Sequence, residues 1–242
     1  MPVDPGPPPL VGDGPHRTAV ATTPDPITGP VYAVDIETTG LDSTRDRVIS
    51  AAVYSSTTAA FIFDVDEGWI LSRLLALLAG VQRGTVVTWN GSCFDGPFIV
   101  QRIQALDLRD AGPVLHPDPS ITSKYDPQPG FDTIGYHPLF RTSMGGLHRH
   151  VDVAYAFRPW AEAAGVRWSL KPVAHALGIP AIEVDAAHAD ELTIPELSAY
   201  NLSDTYATWR LAVGEYRRPP ATGTSHRPVP SLEVVDQSGG TQ

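Results

Sequence analysis

An α/β domain, with a mixed five-stranded sheet flanked by helices, is the fold class this sequence predicts. Three observations carry it. Short apolar strands come first, close together as a meander. Later strands then alternate with helical segments, which is the order of a mixed sheet covered by helices. Between two proline-rich ends lie roughly 190 residues, enough to bury one sizeable core.

The elements follow in order. VYAVDI (31–36) is the first strand, and RVISAAVY (47–54) and TAAFIFDV (58–65) are the next two. The polar break at SSTT between them suits a hairpin. GWILSRLLALLAG (68–80) reads as a helix ending at Gly80, which can take a left-handed cap. GTVVTWN (84–90) is the fourth strand, Asp95 to about Leu106 is a helix, and HRHVDVAYAF (148–157) contains the fifth strand. SLKPVAHALG (169–178) is a short helix with an apolar stripe of Leu170, Val173, Ala174 and Leu177, stopped by Gly178 and Pro180. The last helix is the best marked. Thr193 and Glu196 form a T-x-x-E capping box with Pro195 in the first turn, and the helix is expected to run to about Tyr216.

The remainder is read as irregular. Residues 1–29 carry eight prolines and few apolar groups, as a disordered arm would. Residues 217–242 have the same character and are read as a disordered tail, leaving 30–216 as the domain. The stretch 107–147, rich in Pro, Gly and polar residues, fits no element. An insert of that length is usually an active-site flap or a disordered loop.

Composition narrows the function classes. The mean hydropathy of −0.08 is that of an ordinary soluble chain. No apolar run approaches the ~18 residues that span a bilayer, so a membrane partner is not expected. Cys93 is the single cysteine, which excludes an internal disulfide and fits a reducing cytosol. A cytoplasmic location is therefore expected, nucleoid-associated if the source is bacterial. The net charge of −10 argues against a general nucleic-acid binder but not against a nuclease. Cations bound among acids would reverse the sign locally.

Acids stand where acids are usually excluded. Asp35 and Glu37 close an apolar strand, and their side chains share one face about 7 Å apart at Cα. Two charges at that spacing repel by ~2 kcal/mol at an effective dielectric of ~20, which a bound cation would relieve. A solvated strand end is the alternative. Asp95 opens a helix after Asn90-Gly91, where a plain cap and a plain turn are the alternatives. On the last helix Leu197, Tyr200, Asn201, Asp204, Thr208 and Leu211 fall on one stripe about 100° wide. Asp204 thus sits mid-face on the core side, one turn after Tyr200. A core tyrosine, with the aspartate satisfied by an arginine, is the alternative there.

Taken together, in this order and on these elements, the segments resemble the DnaQ-like 3′–5′ exonucleases of the DEDD superfamily. Asp35 to Leu41, D-I-E-T-T-G-L, matches the first exonuclease motif residue for residue. N-G-x-x-F-D-x-P-F from Asn90 to Phe98 matches the second, especially as found in family B polymerases. Y-x-x-x-D from Tyr200 to Asp204 matches the third in its tyrosine form; the sister form needs a histidine where Ala199 stands. SLKPVAHALG is similar to the helix before the third motif in ribonuclease D-like members. The resemblance covers about 31–216 and implies a ribonuclease H-like fold.

It also implies roles. Asp35 would contact both of two divalent cations, Mg²⁺ or Mn²⁺. Glu37 and Asp204 would hold the cation that activates water, and Asp95 the second. Tyr200 would orient the attacking water. Thr38, Thr39, Gly40 and Leu41 fall where relatives bind the terminal nucleotide, a simple turn after the strand being the alternative, and Asn90 joins them in the substrate-binding set. The implied activity is hydrolysis from the 3′ end of single-stranded DNA or RNA, with DNA slightly ahead. Proofreading would need a polymerase or repair partner in trans. A catalytically silent relative that binds nucleic acid or a polymerase is the rival.

Two weaker signals complete the reading. His148, His150, His175 and His188 have no common zinc spacing. Asp152 in HVDV is expected to support the site rather than touch substrate.

Overall fold

The computed structural model describes residues 22–80, 84–108, 115–117, 140–142, 149–184, 186–217 and 232–235. Its strands are β1 (Val31–Thr38), β2 (Val48–Tyr54), β3 (Ala59–Phe63), β4 (Thr85–Thr88), β5 (Leu115–Pro117), β6 (Phe140–Thr142), β7 (Arg149–Asp152) and β8 (Leu232–Val235). The helices are α1 (Glu67–Gly80), α2 (Asp95–Ala105), α3 (Val153–Ala164), α4 (Leu170–Ala176) and α5 (Ile194–Val213).

β1, β2 and β3 form the expected antiparallel meander. β4 joins β1 in parallel and β7 joins β4 in parallel, so the five expected strands make one mixed sheet. The full order is β7-β4-β1-β2-β3-β8.

Strand alternation divides the core in two. Val34 and Ile36 of β1 pack with Ile70, Leu71 and Leu74 of α1 and Phe98 and Ile99 of α2. Val31 and Ala33 lie in the other cluster, with Phe157 of α3, Val173 of α4 and Leu211 of α5. Side chains two apart on a strand share a face, so Asp35 and Glu37 extend the row of Ala33 on the α5 side. Glu67, buried at the start of α1, accepts the Val48 N–H at 2.8 Å and both arms of Arg102 at 2.9 and 2.7 Å. That bidentate pair ties α1 to α2.

Several boundaries differ from the sequence reading. Only 149–152 of the fifth strand segment is extended. Asp152 accepts the Ala154 N–H at 3.1 Å as an N-cap and turns the chain into α3, a helix the sequence did not announce. α5 ends at Val213, because Gly214 takes φ 69° as a left-handed cap; a short 3₁₀ turn then reaches Arg217. The reading of 217–242 as a disordered tail is corrected at Leu232–Val235, which pairs in parallel with β3 as a sixth strand. Within 107–147, β5 and β6 pair as a small antiparallel ladder, where no element was expected. Of the N-terminal arm, 1–21 lies outside the described residues. Ile27 donates its N–H to Ala212 O at 2.8 Å, so this part of the arm is fixed against α5. No helix among the described residues is long and apolar enough to cross a membrane.

Candidate active site

β1 outruns β4: their register stops at Ala33–Val87, while β1 continues to Thr38. The backbone beyond that point needs other partners. Asp95, at the first position of α2, supplies one, accepting the Ile36 N–H through Oδ1 at 3.2 Å. The strand end that carries Asp35 and Glu37 is thereby held to the helix that carries Asp95.

α5 closes the other side. Asn201 is fully buried and donates Nδ2 to Asp35 Oδ2 at 2.9 Å and to Glu37 Oε1 at 3.4 Å. It holds both strand carboxylates from across the core. One turn on, Asp204 is 8% exposed, and Lys171 of α4 approaches its Oδ2 at 3.2 Å. The same ammonium lies 4.0 Å from the centroid of the Tyr200 ring. The cation partner of Asp204 is therefore this lysine rather than an arginine.

The segment between β4 and α2 is shaped by Asp152. This buried carboxylate accepts the N–H of Asn90 at 2.8 Å and of Ser92 at 3.0 Å, besides a short hydrogen bond from the Ser92 hydroxyl. Asn90 takes a left-handed φ of 62°, and a Cβ at Gly91 would overlap the Thr88 side chain. Asparagine tolerates that conformation and glycine that contact. Asn90-Gly91 is thus a turn, and Asp152 clamps it so that Asp95 arrives at β1.

Asp35, Glu37, Asn90, Asp95, Tyr200 and Asp204 line one cleft of about 930 Å³. Burial foremost, then the charges of Asp95, Glu37 and Asp204, raise Asp35 well above the ordinary carboxylate range. Burial pushes Glu37 up to about 8, against the Asn201 hydrogen bond and with Asp204 and Asp95 adding. Asp95 rises to about 7 by burial, opposed by hydrogen bonds from its own N–H and that of Ile36. Asp204 rises to about 6 by burial, opposed by Lys171. Tyr200 is raised above its ordinary value by burial and by Asp204, Glu37 and Asp35, so its phenol stays protonated and can donate.

The first-motif turn is not part of that lining. Thr38 Oγ1 bonds Gly40 O at 2.6 Å, and Thr39 exchanges hydrogen bonds with Arg47 at 3.0 and 3.1 Å. A Cβ at Gly40 would overlap the Asp46 carboxylate. Thr38, Thr39, Gly40 and Leu41 form a tight turn beside β1, with Leu41 74% exposed. Of the histidines, His150 is buried with Nε2 2.9 Å from Thr88 Oγ1, and His175 pairs with Glu183 at 3.7 Å when protonated. The side chains of His148 and His188 lie outside the described residues.

Sequence reasoning did not single out Asn201 or Lys171 as site residues. Asn201 stood on the same helical stripe as Asp204, which was the available signal. Lys171, one of two lysines in the chain, heads an apolar helix where a charge invites a question.

The donor set fits hard divalent cations. All four acids offer oxygen, and Asp204 Oδ1 is buried with no hydrogen-bond partner. Among the described residues, no three acid, histidine or cysteine groups close on one point as a finished cation shell. Asn201 bridges two of the carboxylates and Lys171 occupies a third.

Comparison with known proteins adds three findings. The family model of the RNase_H superfamily matches residues 32–193, a span that contains Asp35, Glu37 and Asp95 and stops before Tyr200 and Asp204. Among solved structures, the chain is similar to the family B DNA polymerase from the hyperthermophilic archaeon Pyrobaculum calidifontis. Identity is 19% and the TM-score 0.54, over 77% of this chain and 24% of that one, so the likeness is one of fold. No curated protein matches.

Proposed function

Because the chain belongs to the RNase_H superfamily, we propose that its acidic cleft is the active site of a metal-dependent 3′–5′ exonuclease acting on single-stranded nucleic acid. One observation carries the reading. Carboxylates from β1, α2 and α5 line a single cleft, and burial raises the proton affinity of every one of them. Asp152, the buried acid with a structural role, is satisfied by four hydrogen bonds. The four cleft acids share, among the described residues, a single ion-paired ammonium, that of Lys171.

Asp35, Glu37, Asp95 and Asp204 would hold two divalent cations, Mg²⁺ or Mn²⁺. When bound, such a pair lowers the pKa of water and stabilises the leaving oxygen of an in-line displacement. The chain's own groups do the rest. Asn201 fixes the orientations of Asp35 and Glu37. Tyr200 donates its phenolic proton to an oxygen in the cleft, which orients a nucleophilic water without removing its proton. The Asp152-clamped turn sets Asp95 against β1.

The test uses a single strand labelled at its 5′ end, as DNA and as RNA, with and without a 3′ phosphate block. Stepwise shortening from the 3′ end in Mg²⁺ or Mn²⁺ is expected, with no turnover in EDTA or Ca²⁺. Calcium prefers longer bonds and more ligands and should misplace the water. Equal rates in EDTA and Mg²⁺ would remove the metal mechanism, and cutting of a closed circle would remove the polarity. Tight binding without turnover would leave the silent relative.

A further inference from the structure

Beyond the acids, the cleft has an aromatic wall: Trp89, Phe94 and Trp168 line it together with Arg167. Trp168 differs from the other two. Trp89 and Phe94 are partly buried against the two halves of the core, whereas Trp168 keeps 36% of its surface exposed. A large exposed indole on a cleft wall leaves apolar area in water that a ligand could cover.

Trp168 is also held in place. Its Nε1–H donates to Ala154 O at 2.6 Å, Tyr155 meets it at 79° with centroids 5.6 Å apart, and Arg158 lies over one face of the ring, 4.7 Å from its centroid. An indole fixed on three sides loses little freedom on binding. It sits on the short connection from α3 to α4, three residues before Lys171. Their Cα atoms are therefore at most about 11 Å apart, so the ring reaches the neighbourhood of Asp204. Arg167 beside it is exposed and makes no ion pair among the described residues. Besides Lys171, which is paired with Asp204, it adds positive charge that a phosphate backbone can meet in this acid-rich cleft.

From this geometry we infer that Trp168 is a nucleobase-binding platform: a base next to the reacting phosphate packs on the exposed indole, and so the enzyme selects unpaired strands. The inference rests on the nuclease reading. Inside a duplex both faces of a base are covered by stacked neighbours and its edge is held by its pair, so a splayed or single-stranded base reaches the ring far more readily.

The experiment measures binding of a labelled oligothymidylate, and of an abasic strand of equal length, in Ca²⁺ so that no hydrolysis occurs. Parent, Trp168→Ala, Trp168→Leu and Trp168→Phe are compared, with thermal melts of each. The alanine and leucine variants should bind oligothymidylate roughly 5- to 100-fold more weakly. The phenylalanine variant should keep most of the affinity, and all four proteins should bind the abasic strand alike. Leucine keeps the apolar bulk, so it decides the matter should the alanine variant lose its fold. Parent-like affinity in Trp168→Leu, or an equal loss on the abasic strand, would overturn the platform and leave the nuclease reading standing. A parent that neither binds nor degrades single strands would overturn both.

Discussion

Without metal, the acidic cleft should make this protein less stable as pH rises, and magnesium should reverse the trend. Glu37 provides the magnitude. Its carboxyl moves from an ordinary 4.5 to about 8 on folding, chiefly through burial. The folded protein thus keeps its proton up to about pH 8, while the unfolded chain releases it near 4.5. Between those values folding takes up a proton, so the stabilisation is complete at low pH and is lost as pH climbs. For Glu37 alone the span is worth about 5 kcal/mol. Asp35, Asp95 and Asp204 feel the same field, and a proton on one relieves the others, so the shifts do not simply add. For the whole site we expect a loss of at least about 4 kcal/mol between pH 5 and 9, or about 10 °C in Tm for a domain of this size. Thermal melts in EDTA and in saturating Mg²⁺ across that range make the measurement. The Mg²⁺-induced rise in Tm should be largest at the alkaline end, and Glu37→Gln should flatten the EDTA profile. A metal-free protein as stable at pH 9 as at pH 5 would refute the electrostatic account of the cleft.

Asp204→Asn should abolish hydrolysis while the far-ultraviolet spectrum stays that of the parent; retained turnover would remove Asp204 from the site. Its stability in EDTA should change little, since the lost charge also ends the Lys171 pairing; a loss large enough to unfold the domain would make Asp204 structural. Tyr200→Phe should lower kcat by about one to three orders of magnitude with little change in KM, because a phenol that only orients water acts mainly in the transition state. Full activity would return Tyr200 to core packing. Asp152→Ala removes the acceptor of four hydrogen bonds and should cost on the order of 3 kcal/mol or more in urea unfolding. Parent-like stability would show that the Asn90 turn holds its shape unaided.

The strands and the last helix were legible because their signals are local. A short apolar run gave β1, and Thr193 with Glu196 gave the start of α5: the glutamate accepts from the Thr193 N–H at 2.9 Å and hydroxyl at 2.6 Å. α3 was hidden because VAYAF reads as a strand's alternation, Pro159 lies inside the helix, and the cap that starts it is also the last residue of β7. β8 is four residues in a proline-rich stretch, too short to announce itself without β3 beside it. In the site, Asp35, Glu37 and Asp204 stood out because each put a charge on an apolar element, whereas Asp95 reads alone as a cap and gained meaning from the order of the motifs. Asn201 carries no charge: an amide on a helix is unremarkable until its partners, 166 and 164 residues away, are known. Lys171 likewise acquires meaning only when α4 meets α5.

The reach of α5 bears on how the molecule comes to be made. Leu197, Ala207, Leu211 and their neighbours cover the sheet face that β1 presents, while Asn201 and Asp204 on the same helix complete the acidic cleft. During synthesis, β1 leaves the ribosome more than a hundred residues before α5. Through that interval the part of the sheet face that α5 covers stays open, and its acids lack their amide clasp. Pairings so distant in sequence form late. A truncated or half-folded chain would therefore expose apolar sheet and be unable to assemble the cleft. Any catalytic activity of this site would report that the last helix has docked.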